Sequence, residues 1–237
     1  MLLPPGQPQA LCPSCRSKWE LAKLRVCPDC GRARMDCLCL PDALYEAGVD
    51  RFFKLVGYRA DVKRDDADFA VQNRLIYRVK DRHLRVYEQF LADQLALRLR
   101  TFLAEEREAV GSGNAGTWMV SFCPRSRENY LKTGTDQSEQ IARRLAKRLE
   151  LPFCRTMVRV SGREQKRLDS AARKQNAAKG FTLRPHADVS GKQILLVDDI
   201  VTTGASMAAC AERLLAAGAA GVTAVSIAFT ERRGAKP

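Results

Sequence analysis

The segment GKQILLVDDIVTTGASMAACAERLLAAGAAGVTAVSIAF, residues 191–229, constrains this chain more than any other. Its ILLV run is continuously apolar, as expected of a central parallel strand buried on both faces. An alanine- and leucine-rich stretch from Ser206 to Ala217 reads as a helix, with Gly218 placed to close it. A second apolar strand follows at 222–229. This is one βαβ unit, whose crossover should be right-handed. Open α/β sheets bind ligands where strands end and helices begin. Here that junction reads Thr202, Thr203, Gly204, Ala205, Ser206. Gly204 permits a turn that a side chain would block. The first N–H groups of the helix have no intrahelical partner, and its dipole favours an anion there. Three hydroxyls, at Thr202, Thr203 and Ser206, add donors, so the loop reads as a cradle for a monophosphate. A dinucleotide site would need G-x-G-x-x-G and a nucleotide P-loop G-K-[ST], and neither occurs. Asp198 and Asp199 precede the loop, and their carboxylates can accept from sugar hydroxyls or from water on Mg²⁺. Adjacent strand residues point to opposite faces, so both reach one ligand only if the strand ends there. A plain polar connection would contain similar residues, but glycine, hydroxyls and helix start converge on an anion.

Upstream, TWMVSF at 117–122 reads as a strand that leaves through Cys123, Pro124 and Arg125. A helix is expected from Thr135 to Leu149, with Ile141, Leu145 and Leu149 four apart. Thr135 or Asp136 would cap it, Asp136 forming a capping box with Glu139. PFCRTMVRV at 152–160 looks extended, and FTLRPH from Phe181 resumes that character. Residues 161–179 are polar and basic and should be exposed. Nearer the N-terminus, RFFKLVGY from Arg51 and FAVQNRLIYRVK from Phe69 both read as strands. The second sets Leu75, Tyr77 and Val79 against Arg74, Arg78 and Lys80. Residues 61–68 form a charged loop. Tyr87, Leu91, Leu95, Leu99 and Phe102 recur every three or four residues and predict a core-facing helix that ends around 105–108. GSGNAG at 111–116 is a turn or link.

Six of the nine cysteines lie between Cys12 and Cys39. Clustering of this kind, in a chain expected to be cytoplasmic, argues for metal over disulfides. CPSC at 12–15 and CPDCG at 27–31 are C-x2-C knuckles, and CLC follows at 37–39. The simplest site takes Cys12, Cys15, Cys27 and Cys30 on one structural zinc. A rival takes Cys27, Cys30, Cys37 and Cys39, leaving Cys12 and Cys15 for another partner. Six cysteines cannot fill two four-sulfur sites alone. A redox dithiol at Cys12 and Cys15 is the competing chemistry, disfavoured because it wants a strand–helix context. The segment has few large apolar residues, so metal would supply much of its folding energy.

A chain of 237 residues suits one main domain plus a small module, divided as 1–44 and 45–237. No apolar run approaches a bilayer span, so no membrane insertion is expected. The N-terminus lacks a signal-peptide pattern, and a cytoplasmic location is expected. The net charge of +13 suits a polyanionic partner. Much of it lies between Arg143 and Arg184, where thirteen Lys or Arg face three Asp or Glu.

ILLVDDIVTTGAS resembles the phosphoribosyl pyrophosphate (PRPP) motif of type I phosphoribosyltransferases. With the six early cysteines, the chain resembles the ComF family, which joins an N-terminal zinc ribbon to such a domain. LIYRVK at 75–80, KTGTDQSEQIARRLA at 132–146 and QKRLDSAARKQNAAKGF at 165–181 are similar to further family segments, the last through Leu168, Arg173, Asn176, Gly180 and Phe181. The family's Phe-Asn pair stands here as Thr135-Asp136, and its proline-flanked valine as Phe122-Cys123-Pro124. The resemblance implies an α/β, parallel-sheet phosphoribosyltransferase-like core behind a zinc-ribbon module, with structural Zn and with Mg bound alongside PRPP. Asp198 and Asp199 would handle the ribose hydroxyls, and Thr202, Thr203, Gly204, Ala205 and Ser206 the 5-phosphate. The turn at 123–125 would hold pyrophosphate, with Arg125 and Arg127 aiding its departure. Three readings stay open: a phosphoribosyltransferase with an unidentified acceptor, a non-catalytic DNA-uptake component that binds single-stranded DNA or a helicase, and a PRPP sensor. The sequence leaves room for a homo-oligomer.

Overall fold

The computed structural model describes residues 10–59, 70–82, 85–110, 117–126, 130–131, 134–159 and 180–231. The basic stretch at 161–179, the charged loop at 61–68, the GSGNAG link and Arg127 lie outside them.

Four parallel strands form the central sheet: β1 (Arg51–Tyr58), β2 (Trp118–Phe122), β5 (Gln193–Val201) and β6 (Gly221–Thr230), in the order β1-β6-β5-β2. Two short strands, β3 (Met157–Arg159) and β4 (Phe181–Leu183), pair antiparallel beside it. Side chains alternate along β5, and each face has its own core. Leu195 and Val197 join Val120, Phe122, Val225 and Ile227 on the first face. Ile194 and Leu196 join Met119, Val222 and Ala224 on the second. All four residues of the ILLV run are fully buried, as a strand covered on both sides requires.

The first face is covered by α1 (Pro13–Leu24), α3 (Ala70–Arg82), α4 (Arg85–Val110) and α5 (Gln137–Leu149). The second is covered by α6 (Ala205–Ala216) and by the short α2 (Asp42–Glu46). So the helix after β2 packs on one face and the helix after β5 on the other, which makes the neighbouring ends of β2 and β5 a topological switch point. That is where open α/β sheets take ligands.

Residues 70–82 form a helix, which corrects the strand expected there. Val71, Leu75, Ile76 and Val79 are buried, spaced by four, one and three, whereas Tyr77 and Arg78 are exposed. The alternation of Leu75, Tyr77 and Val79 imitated a strand because a short apolar run fits either period. The cap expected at Asp136 is present: its carboxylate accepts from the N–H groups of Ser138 (3.0 Å) and Glu139 (3.4 Å). Glu139 turns instead to Arg143 and Arg155. Helix α4 runs on to Val110, just beyond the expected end. Gly218, at φ +91, follows α6 and donates to Leu215 O at 2.9 Å.

The N-terminal segment is docked on this core. Trp19 of α1 is fully buried in the first-face cluster and meets Phe90 edge-on. Its Nε1 and the Lys23 Nζ both donate to Gln94 Oε1 of α4.

Candidate functional site

The fold brings together Cys27, Cys30, Cys37 and Cys39, whose Sγ atoms all lie within 4.8 Å of one another. That is the rival set, so the simplest sequence-based grouping is corrected: Cys12 and Cys15 start α1 and stand outside the cluster. The reason is local. Gly31, at φ +69, closes the CPDCG knuckle, and its N–H reaches Cys27 O at 2.9 Å. Val26 and Ala33 then bridge antiparallel and carry the chain back toward Cys37.

Two buried cations face these sulfurs. Arg34 Nη1 donates to Cys27 Sγ at 3.3 Å and its Nη2 to Glu231 at 2.6 Å, while its buried Nε has no hydrogen-bond partner. Lys54, 1% exposed, reaches across from β1 to donate to Cys39 O at 2.9 Å. Burial lowers its ammonium, and Cys37 and Cys39 raise it again. Among four neutral thiols, Lys54 would lack a counter-charge. A divalent ion on four thiolates leaves two negative charges, which these cations offset. Burial, then Cys37 and Cys30, push the Cys39 thiol up to about 12, so ionisation needs a cation. The residues therefore fit a structural zinc.

The cluster is joined to the β5–α6 loop. From Cys39 the chain runs through Pro41 into α2, and Leu44 of α2 is buried against that loop. Gly204 adopts φ +84, ψ −8 at the start of α6. A Cβ there would come within 3.2 Å of Leu44 Cγ and 3.4 Å of Pro41 Cβ. Thr202, Thr203, Ala205 and Ser206 are exposed around this buried glycine, and the N–H of Ala205 points at Thr203 Oγ1 (3.4 Å). The loop thus opens a helix whose first residues, Ala205 and Ser206, are exposed.

Asp198 and Asp199 sit just before the loop, both half-buried. Strand β5 continues to Val201, so it does not end at this pair as the sequence reading required, and the two carboxylates take different partners. Ser138, in the first turn of α5, donates its hydroxyl to Asp198 Oδ1 at 2.8 Å and accepts the N–H of Asp199 at 3.1 Å. Asp199 pairs with Arg125 (3.3 Å) and also accepts the N–H of Ile200. The Arg125 N–H in turn donates to Asp136 Oδ2 at 2.8 Å, and the Cys123 N–H extends the sheet ladder to Val197 O. Asp136 therefore caps α5 and also holds the turn at 123–125. Ser138 and this second task of Asp136 are not marked by any motif in the sequence. Tyr58 and Tyr77 approach each other (3.5 Å between hydroxyls) near Asp199. Burial, and then Tyr77, push the Tyr58 phenol up to about 12. Cys123 and Cys210 are buried, and burial raises the Cys123 thiol well above its ordinary value.

Asp198 is pushed up to about 8, first by burial and next by the Asp199 carboxylate, while Ser138 and the Asp199 N–H pull it back. Unfolded, the group titrates near about 4. Between those values the native chain holds a proton that the unfolded chain has lost, so stability falls as pH rises through that window. Asp198→Asn removes this dependence. Without divalent cations, its melting temperature should match wild type at or below about pH 4 and exceed it increasingly up to about pH 8. A difference that does not change with pH contradicts this assignment.

Residues 135–237 match the family described as "Phosphoribosyl transferase domain". No curated protein matches the chain. Among solved structures, a Thermus thermophilus protein is similar at 16% identity (63% of this chain, 86% of that one, TM-score 0.37). A purine phosphoribosyltransferase from Pyrococcus horikoshii is similar at 18% (62% and 76%, TM-score 0.35). An adenine phosphoribosyltransferase from Leishmania donovani is similar at 14% (68% and 75%, TM-score 0.35). The core is a phosphoribosyltransferase-like parallel α/β sheet with a cysteine-rich N-terminal region. No helix among the described residues is long and apolar enough to cross a membrane.

Proposed function

We propose that this chain is a ComF-like phosphoribosyltransferase that binds PRPP with Mg²⁺ and transfers its ribosyl phosphate to an acceptor not yet identified. One observation supports the reading: Asp198 and Asp199, near the end of β5, lead through exposed Thr202 and Thr203 into a left-handed Gly204 and the exposed start of α6. A sugar phosphate needs those two halves side by side, carboxylates for its hydroxyls and amides for its phosphate.

In this reading Thr202, Thr203, Gly204, Ala205 and Ser206 hold the 5-phosphate. Asp199 and Asp198 bind the ribose hydroxyls directly or through water on Mg²⁺, which when bound neutralises pyrophosphate charge. The turn at 123–125, held by Asp136, offers backbone and the Arg125 guanidinium to the leaving pyrophosphate. Catalysis of this kind rests on positioning and on stabilising charge as the bond at ribose C1 breaks. Residues 1–44 serve as a structural zinc module and 45–237 as the ligand-binding domain.

The single-stranded-DNA reading has less support. Of the basic residues on α5, Arg143 pairs with Glu139, Arg144 with Glu88 and Arg148 with Asp93.

Arg125→Ala separates the two ends of the ligand. It should weaken PRPP binding by about tenfold, the loss of one charged hydrogen-bonding partner, and leave ribose 5-phosphate binding unchanged. Calorimetric titration with both ligands checks it. Equal losses, or none, count against the pyrophosphate assignment.

A further inference from the structure

Cys12 and Cys15 are left over once the metal cluster is assembled. Cys12 precedes α1 and Cys15 lies in its first turn, so the helix turns both side chains to one side. Cys12 is exposed and Cys15 half-buried. The two thiols interact, and among the described residues no third Cys, His, Asp or Glu joins them. The N–H of Cys15 is the main influence lowering the Cys12 thiol, while Cys12 is the main influence raising Cys15. This is the division expected of an attacking and a resolving thiol.

Both cysteines line a cavity of about 190 Å³. Its apolar side is Leu11, Val71 and Leu75; its polar side is Arg74, Arg78 and Tyr87. Arg78 donates to the Tyr87 hydroxyl at 3.4 Å and lies against its ring. Arg74 lowers the Cys15 thiol. A dithiol at the positive end of a helix thus opens onto a recess with an apolar floor and two guanidinium groups.

Against the expectation from sequence context, the helix start and the recess supply what a redox dithiol needs, and we infer that Cys12 and Cys15 form a thiol–disulfide exchange site, separate from the metal cluster, for a small disulfide bearing carboxylates that Arg74 and Arg78 recognise. The Cys12 thiolate attacks one sulfur of the small disulfide, forming a mixed disulfide and releasing one small thiolate. Cys15 then attacks the Cys12 sulfur, closing the Cys12–Cys15 disulfide and releasing the second. Two protein thiols are oxidised, one small disulfide is reduced to two thiols, and the two protein protons pass to the released thiolates.

The test uses full-length, zinc-loaded protein and oxidised glutathione, followed by alkylation, tryptic mapping and metal analysis. The peptide ending at Arg16 is expected to become lighter by two hydrogens and resistant to alkylation while zinc is retained. Glutathione disulfide should react about tenfold faster than cystamine, its cationic counterpart, as expected of electrostatic steering. Arg74→Glu with Arg78→Glu should reverse that preference. The inference is overturned if Cys12 and Cys15 stay alkylatable in excess oxidised glutathione, or if the preference survives charge reversal. It is also overturned if Cys12→Ser with Cys15→Ser lowers bound zinc, which would make the pair a metal site.

Discussion

Stripping the metal from the four-cysteine cluster is expected to lower the stability of the whole chain, not only to loosen the knuckle at 27–31. Arg34 and Lys54 are 2% and 1% exposed. Lys54 belongs to β1 of the central sheet, and Arg34 is tied to Glu231 just past β6. Losing the thiolate charge leaves these cations buried without full compensation, at a cost of about 3–5 kcal/mol in comparable cases. For a chain of this size that corresponds to a fall in melting temperature on the order of 10 °C. Cys37→Ser should reproduce the effect in metal-replete buffer, because Cys37 is buried in the cluster. Cys12→Ser should not. Thermal melts of the three proteins with zinc, and of wild type with a chelator, check this. A melting temperature indifferent to chelation would mean that the cluster holds no stabilising metal.

Gly204→Val is expected to remove ribose-phosphate binding while leaving the chain folded. At φ +84 a β-branched residue is strained in its own right. Its Cβ would also come within 3.2 Å of Leu44. Leu44 is fully buried, so relief must come from the loop moving outward, which spoils the alignment of the first amides of α6. Strain of this kind costs about 1–3 kcal/mol, on the order of a hundredfold in affinity when it falls on the bound geometry. Gly204→Ala should lose about tenfold, since alanine tolerates the left-handed region better. Leu44→Ala beside Gly204→Ala should recover part of that loss by making room. Titration with ribose 5-phosphate ranks the variants, and equal affinities would mean that the loop does not hold the phosphate. The same contact links the two predictions, because Leu44 lies only five residues beyond Cys39.

What could be read from the sequence depended on how local the signal was. Strand β5, helix α6 and the loop between them declare themselves through a continuous apolar run, a glycine and a helix start within adjacent residues. The cap at Asp136 is equally local. Residues 70–82 misled because Leu75, Tyr77 and Val79 satisfy a two-residue period by chance, and only packing of Val71, Leu75, Ile76 and Val79 against the core settles the helix. The choice among six cysteines was not legible either. It depends on a knuckle closed at Gly31 and on Lys54, which reaches across from β1, outside the cysteine segment, to face one set of sulfurs. Ser138 was hidden for the same reason: sixty residues separate it from Asp198, and no spacing rule connects them.

In the proposed function, the end of β5 and the start of α6 together bind PRPP. Calorimetric titration of PRPP with Mg²⁺ into wild type and Asp199→Asn tests it most directly. The account predicts saturable one-site binding by wild type that needs Mg²⁺, and a loss of about tenfold or more in the variant, as expected when a charged acceptor is removed. No binding by wild type, or equal affinity in the two proteins, would contradict it.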